Sequence, residues 1–306
     1  SLLYQMKKKY ESRCKNLIVA GQLDPFWPLR YPTSSGWKLS SADSTGHPFG
    51  SASGEYMALF IKNYYDENFH PKWIEVINEP AYWLIDHPSP FNAVSMELIN
   101  KYHNTVADCV HVNVPNALVG GYTVAFPDYY KFNFERWLER DKLFIDQCGN
   151  RMDFWSIHLY DLDFGKRKRV YTGSYIEAVF DIIDHYSTLT LGSTKPFVIS
   201  EFGGRALNLE NGPWSPLRDW IQLKSISPML MQFMDRANEI GVAVPFIVIK
   251  GEWGYKDYPY PHRLLRKENE PDSYTGDWVY TEMIKFYQLW KDVKGIRVDS
   301  YSTNID

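Results

Sequence analysis

Six short apolar runs, starting near residues 17, 73, 117, 153, 196 and 242, punctuate the chain, and each is followed by a loop and then an amphipathic stretch. That repeat constrains the fold more than any other feature. Runs rich in Val and Ile and bounded by turn residues read as buried strands, and strands that alternate with helical patterns build β/α units on a parallel sheet. Helical periodicity is clear where Val94, Leu98, Tyr102, Val106 and Cys109 or Val110 recur at spacings of three to four, which places them on one face. Further helices are expected over 1–15, 55–69, 134–145, 174–187, 228–240 and 275–294. The loops after the strands are long and rich in Trp, Tyr, His and Arg, whereas the connections before them are shorter. Such asymmetry belongs to a (β/α) barrel, whose working groups lie at the carboxyl ends of its strands. The alternative, a doubly wound open sheet, would carry a Gly-rich phosphate loop at its first strand-to-helix turn, and neither GxGxxG nor GxxxxGK[ST] occurs. The fold class expected is therefore α/β, a (β/α) barrel.

Composition narrows the function. The chain has 306 residues and a formal net charge of -4, which argues against general nucleic-acid binding. No run approaches the roughly 18 apolar residues needed to cross a bilayer. Cys14, Cys109 and Cys148 are odd in number and form no CxxC pattern, so they indicate neither a disulfide framework nor a zinc site. The counts of 11 Trp and 22 Tyr are high, and such flat amphipathic rings are over-used both in cores and on surfaces that stack against ligands such as sugars.

Two of the apolar runs end alike. Trp73-Ile74-Glu75-Val76-Ile77-Asn78-Glu79-Pro80 closes on Glu79, because Pro80 cannot donate to a ladder, and Pro196-Phe197-Val198-Ile199-Ser200-Glu201-Phe202-Gly203-Gly204 closes on Glu201. A lone Glu at a strand end more often caps a helix or pairs with Arg. Two of them, each closing a buried strand, are what acid/base work on a glycosidic bond needs. Between them, strand alternation sets Ser156, His158 and Tyr160 on one face. Glu75 lies mid-strand, directed into the barrel or a helix layer, and Glu252 is a competing carboxylate after the last strand.

Asn78-Glu79-Pro80, His158 with Tyr160, Ser200-Glu201-Phe202-Gly203 and Trp253 together resemble the clan of retaining glycoside hydrolases built on a (β/α)8 TIM barrel. Within that clan the segments 73–80, 154–161 and 196–205 most resemble glycoside hydrolase family 86, whose members cut agarose and porphyran at β-1,4 bonds. The resemblance implies Glu79 as acid/base, Glu201 as nucleophile with Tyr160 or His158 as its donor, Asn78 on the substrate 2-hydroxyl, and Trp253 as a floor for the sugar. No metal or cofactor is called for. In the clan the acid/base ends strand four and the nucleophile strand seven, whereas here they end the second and fifth runs. The chain is thus expected to carry strands 3 to 8, with 1–295 as the barrel lacking its first two β/α units. A missing N-terminal segment or a second chain would complete it, and 296–306 would be a linker or the start of a β-domain.

Loops on the expected active face add Trp27, Arg30, His47, Trp83, Arg205 and Glu252 as substrate contacts. Porphyran carries sulfate, for which Arg30, His47, Arg205 and the Lys166–Arg169 run supply cations, whereas agarose is neutral and needs none, so the sequence leans to the sulfated galactan or to tolerance of both. The expected function is retaining endo-hydrolysis of porphyran or agarose, with a polysaccharide as partner and neither nucleic acid nor membrane. Other endo-β-glycanases, acting on mannan, xylan or glucan, and an inert carbohydrate-binding barrel are the alternatives. The size of a polysaccharide implies a secreted, cell-surface or periplasmic protein.

Overall fold

The computed structural model describes residues 5, 8, 9, 16–27, 48–65, 69–88, 93–163, 165, 166, 168–253, 257–296, 298 and 303. They divide into two compact units, the first comprising residues 1–159 with 177–200 and the second 160–176 with 201–306.

In the first unit, strands β1 (Ile18–Ala20), β2 (Trp73–Glu75), β3 (Leu118–Ala125) and the start of β4 (Phe154–Asp163) pair in parallel, with Val19 opposite Ile74 and Ile74 opposite Val119. The start of β6 (Phe197–Ala206) follows β4 in strand order. Ile74, Val76, Ile77, Val119, Phe154, Val198 and Ile199 are fully buried, as expected of strands covered on both faces. A Cβ on Gly120 would fall 2.5 Å from the Phe154 ring, so the absence of a side chain there lets β3 and β4 approach. Helix α1 (Ser51–Tyr64) packs on α2 (Met96–Asn113). The α2 start is a capped end, because the Ser95 hydroxyl accepts from the Leu98 N–H at 3.3 Å and Glu97 occupies the first turn. Its Tyr102, Val106 and Val110 are buried, as the periodicity requires. The last helix of this unit is α3 (Ser174–Leu191), whose first turn lies in the second unit.

In the second unit β6 continues and neighbours β7 (Ile240–Pro245), while the short β5 (Lys168–Arg169) pairs antiparallel with the end of β4. Helix α4 (Pro216–Asp235) starts where the Ser215 hydroxyl accepts from the Arg218 N–H and Pro216 takes the first helical position. An antiparallel ribbon of β8 (Leu265–Lys267) and β9 (Trp278–Tyr280) precedes α5 (Ile284–Trp290). Phe202, Ile226, Met229, Phe233, Met283 and Phe286 form the core here.

All six runs read as strands are β1, β2, β3, β4, β6 and β7. Several boundaries differ from expectation. The β2 ladder formally ends at Glu75, and β6 runs past Glu201 to Ala206. The helix expected over 228–240 is α4, which begins twelve residues earlier at the Ser-Pro start and tolerates Pro228 inside it. The helix expected over 275–294 is β9 followed by α5, since Trp278-Val279-Tyr280 pairs with β8 instead of coiling. The helix over 134–145 is three pieces, Glu135–Trp137, a π-helical Leu138–Lys142 and Leu143–Cys148. The N-terminal helix expected over 1–15 and the linker or β-domain start expected over 296–306 fall largely outside the described residues.

Candidate active site

The chain from β2 stays extended beyond Glu75. Val76 N–H donates to Gly120 O at 3.1 Å and Asn78 N–H donates to Gly21 O at 2.8 Å. Glu79 then turns sharply, with φ of 45°, and its carbonyl accepts from Trp83 N–H to open the π-helical turn Tyr82–Asp86. A left-handed backbone before a proline is unusual for a glutamate and is of order 1–3 kcal/mol unfavourable in isolation, so the surrounding ladder must hold it. Glu79 Oε1 lies 2.7 Å from His158 Nδ1, and His158 Nε2 lies 3.0 Å from Ser200 Oγ. Ser200 Oγ is 3.4 Å from Ser156 Oγ, which is bonded to the Glu75 carboxyl. Glu75 is 1% exposed. Burial raises its pKa above the usual glutamate range, against the opposing effects of His158, Ser156 and Ser200, and the charge of Glu79 raises it further.

The second unit holds the other carboxylate. Glu201 Oε2 accepts from the Tyr160 hydroxyl at 2.6 Å. Tyr160 stands edge-on to Phe246 with ring centroids 6.2 Å apart, Phe246 edge-on to Tyr260 at 6.0 Å, and Tyr260 stacks on Trp253 at 6.0 Å and 12°. Trp253 is 60% exposed, an open ring face of the kind that stacks on sugars. Next to it, Glu252 accepts from the Tyr274 hydroxyl at 3.0 Å. Tyr274 also lines a cavity of about 190 Å³ with Trp214, Asp257, Tyr258, Pro259 and Asp272.

The other expected contacts fare differently. Arg205 is committed to Glu210 through bonds of 2.9 and 2.8 Å. Burial alone would raise the Glu210 pKa, but bonds from His262 and Arg205 bring it down to about 2. Trp83 is 40% exposed and edge-on to Tyr82. Trp27 must be corrected: it closes the short helix Leu23–Phe26, is 1% exposed and packs against Phe49 and against Tyr102 of α2. Arg30 and His47 lie outside the described residues. In the basic run, Lys168 is 3.8 Å from Asp163 and Arg169 lies over Tyr171. Of the donors expected for Glu201, the Tyr160 hydroxyl donates to it, and His158 Nδ1 lies against Glu79.

Sequence reasoning missed the linkage of Glu75, Ser156 and Ser200 to this histidine, and the ring series through Phe246 and Tyr260. A signal existed for the first, since Glu75 is a carboxylate inside an apolar strand and Ser156 shares a face with His158.

No family model matches the chain. It is 47% identical over 306 residues to the funoran endo-β-hydrolase of Wenyingzhuangia aestuarii, covering 97% of this chain and 40% of that protein. It is 45% identical over 281 residues to the β-agarase of Pseudoalteromonas atlantica, covering 89% and 54%. Among solved structures, BuGH86 in complex with neoagarooctaose matches with a TM-score of 0.87 and 44% identity, over 97% of this chain and 50% of that one. BpGH86A, a β-porphyranase of glycoside hydrolase family 86 from Bacteroides plebeius, matches with a TM-score of 0.69 and 30% identity, over 83% and 45%. The chain is a homologue of the family 86 glycoside hydrolases. It spans about half, or less, of the length of these relatives. The six strands and their helices correspond to part of the TIM barrel of the family 86 structures. At 12% identity and a TM-score of 0.52, a Caulobacter crescentus β-xylosidase shares the fold alone.

Proposed function

We propose that the chain is the catalytic barrel of a retaining endo-glycoside hydrolase that cleaves β-1,4 bonds of a red-algal galactan, agarose or porphyran, by double displacement. The observation that carries this reading is that β4 supplies a separate partner to each of two strand-end glutamates, His158 to Glu79 and, two residues on, Tyr160 to Glu201. Two carboxylates with different partners are suited to two roles. Glu201, stabilised as a carboxylate by the Tyr160 hydroxyl, attacks the anomeric carbon, while Glu79 gives its proton to the departing glycosidic oxygen. Water, deprotonated by Glu79, then cleaves the glycosyl ester and restores both groups. Asn78 serves the 2-hydroxyl, and Trp253, stacked on Tyr260, offers its face to a sugar ring. The names of the relatives, a funoran hydrolase and an agarase, support a red-algal galactan as substrate.

Within the galactans, the cavity beside Tyr274 supports a neutral unit at that position. Asp257 and Asp272 can accept from sugar hydroxyls but repel sulfate, and Arg205 is already neutralised by Glu210. A polymer substrate implies that the protein works outside the cytoplasm. The test is substitution of each glutamate by glutamine, assayed on agarose, porphyran, mannan and xylan. Glu79→Gln and Glu201→Gln should each lose at least about a thousandfold in kcat on the galactans. Near-parental turnover by Glu201→Gln, or parental activity on mannan or xylan alone, would overturn the reading.

A further inference from the structure

A chain of hydrogen bonds runs through the interior of the first unit from one carboxyl group to another. It passes from Glu75 to Ser156, from Ser156 Oγ to Ser200 Oγ at 3.4 Å, from Ser200 Oγ to His158 Nε2 at 3.0 Å, and from His158 Nδ1 to Glu79 Oε1 at 2.7 Å. Glu75 and His158 are each 1% exposed and Ser156 is 2% exposed, so the Glu75–Ser156 link is shielded from water, while Ser200 and Glu79 are half-buried. Each hydroxyl has one proton, and a neutral imidazole carries one proton on one of its two nitrogens. The chain therefore has two directions. In the first, the Glu75 acid donates to Ser156, Ser156 to Ser200, Ser200 to His158 Nε2, and His158 Nδ1–H donates to Glu79. In the second every bond reverses: Glu79 directs its own proton at Nδ1, Nε2–H donates to Ser200, Ser200 to Ser156, and Ser156 to a Glu75 carboxylate. Starting from an ionised Glu79, going from the first to the second moves one proton along each link, so that Glu75 loses one and Glu79 gains one.

Only the first direction leaves Glu79 fit for the acid/base role. There Oε1 accepts from His158, and Oε2 is left to carry the proton handed to the glycosidic oxygen. In the second the Glu79 proton faces the imidazole.

We infer that Glu75 is a positioning residue whose acid proton fixes the direction of this chain, so that His158 presents Nδ1–H to Glu79. The inference rests on the acid/base reading of Glu79 given above. The surroundings of Glu75 favour its protonated form: burial disfavours its charge more than His158, Ser156 and Ser200 favour it, and Glu79 adds like charge. On its own sheet its register partners are Ala20 on β1 and Gly120 on β3, neither of which titrates. Deprotonation of Glu75 reverses the chain, and the alkaline limb of kcat is where that reversal is read.

Three variants test this. In Glu75→Gln the amide can still donate to Ser156 but does not titrate; Glu75→Met has no donor; Ser200→Ala cuts the chain at its link to His158 while keeping the Glu75 carboxyl, from which it removes one stabilising hydroxyl. On agarose, kcat of Glu75→Gln should exceed that of Glu75→Met by about tenfold or more, and its alkaline limb should move up by about one pH unit or more. Glu75→Met and Ser200→Ala should lose about tenfold or more in kcat with KM within about threefold of the parent. Nitrogen NMR of labelled histidine should find the His158 proton on Nδ1 in the parent and in Glu75→Gln. A Glu75→Gln profile superimposable on the parent's, a Glu75→Gln enzyme as slow as Glu75→Met, or a parental His158 proton on Nε2 overturns the proposal. Where the Glu75 variants show no cooperative melt, Ser200→Ala and the parental tautomer decide. Failure of the underlying reading is separate, because it shows as turnover surviving in Glu79→Gln whatever the Glu75 variants do.

Discussion

His158 and Tyr160 stand two positions apart on β4, and strand alternation alone sends both side chains to the same face. That much was legible in the sequence, together with Glu79 and Glu201 at the ends of strongly apolar runs. Which residue served which carboxylate was not, because it depends on the register between strands. Trp27 was misjudged for a similar reason: its burial is decided by Phe49 and Tyr102, distant in sequence. Tyr160→Phe should leave the fold intact and remove one hydrogen bond to a charged acceptor, a change of about 1.5–3 kcal/mol, so kcat should fall by about ten- to a hundredfold. Steady-state kinetics check this, and an unchanged kcat would deny Tyr160 its part. A second residue-scale prediction concerns Asp141, which is buried and accepts from Tyr122 and Tyr129 at 2.7 Å each. Burial raises its pKa to about 6, against the opposing effects of both tyrosines and of Arg140 and Arg136. Because the folded state then holds the proton more tightly than the unfolded chain, this contribution to stability is complete below about pH 4 and is lost as pH rises through about 6, by at most about 3 kcal/mol. Asp141→Asn should flatten that part of a Tm-against-pH curve, and an identical slope in the variant would show that another group is responsible.

At the scale of elements, strands proved easier to read than helices. A buried strand is defined by a few consecutive residues, and all six were found. A helix boundary depends on a cap and on partners: α4 begins at Ser215-Pro216, a start signal hidden in a stretch rich in prolines, and the segment that becomes β9 follows its neighbour β8 instead of its own periodicity. Gly54 shows how packing overrides local preference. It lies inside α1, where alanine is the better helix former by about 1 kcal/mol. Yet a Cβ there would sit 2.7 Å from the Cys109 Cβ and 3.2 Å from the Val106 Cα of α2. Gly54→Ala should therefore lower stability by about 1–3 kcal/mol in chemical denaturation, and a gain would mean that the two helices can separate freely.

For the whole molecule, the sequence reached the (β/α) barrel class because the repeat of strand, loop and helix is a property of the entire chain, and solved structures of family 86 match it in fold. The finer substrate was out of reach of the sequence alone, where Arg205 counted as an available cation; Glu210 occupies it. With its acidic lining, the cavity holding Trp214, Tyr258 and Tyr274 should favour a neutral galactan unit. Tyr258→Ala should raise KM for agarose by about three- to tenfold with little change in kcat, since a sugar ring held away from the reacting bond contributes uniform binding. Loss of kcat with KM unchanged would assign the residue elsewhere. The central claim is that Glu79 and Glu201 act together in a double displacement, and it is tested most directly by the anomeric configuration of the newly formed reducing end. Proton NMR of agarose hydrolysis, recorded before mutarotation, should show the β-anomer appearing first. The α-anomer appearing first would mean a single inverting displacement and would contradict the role given to Glu201.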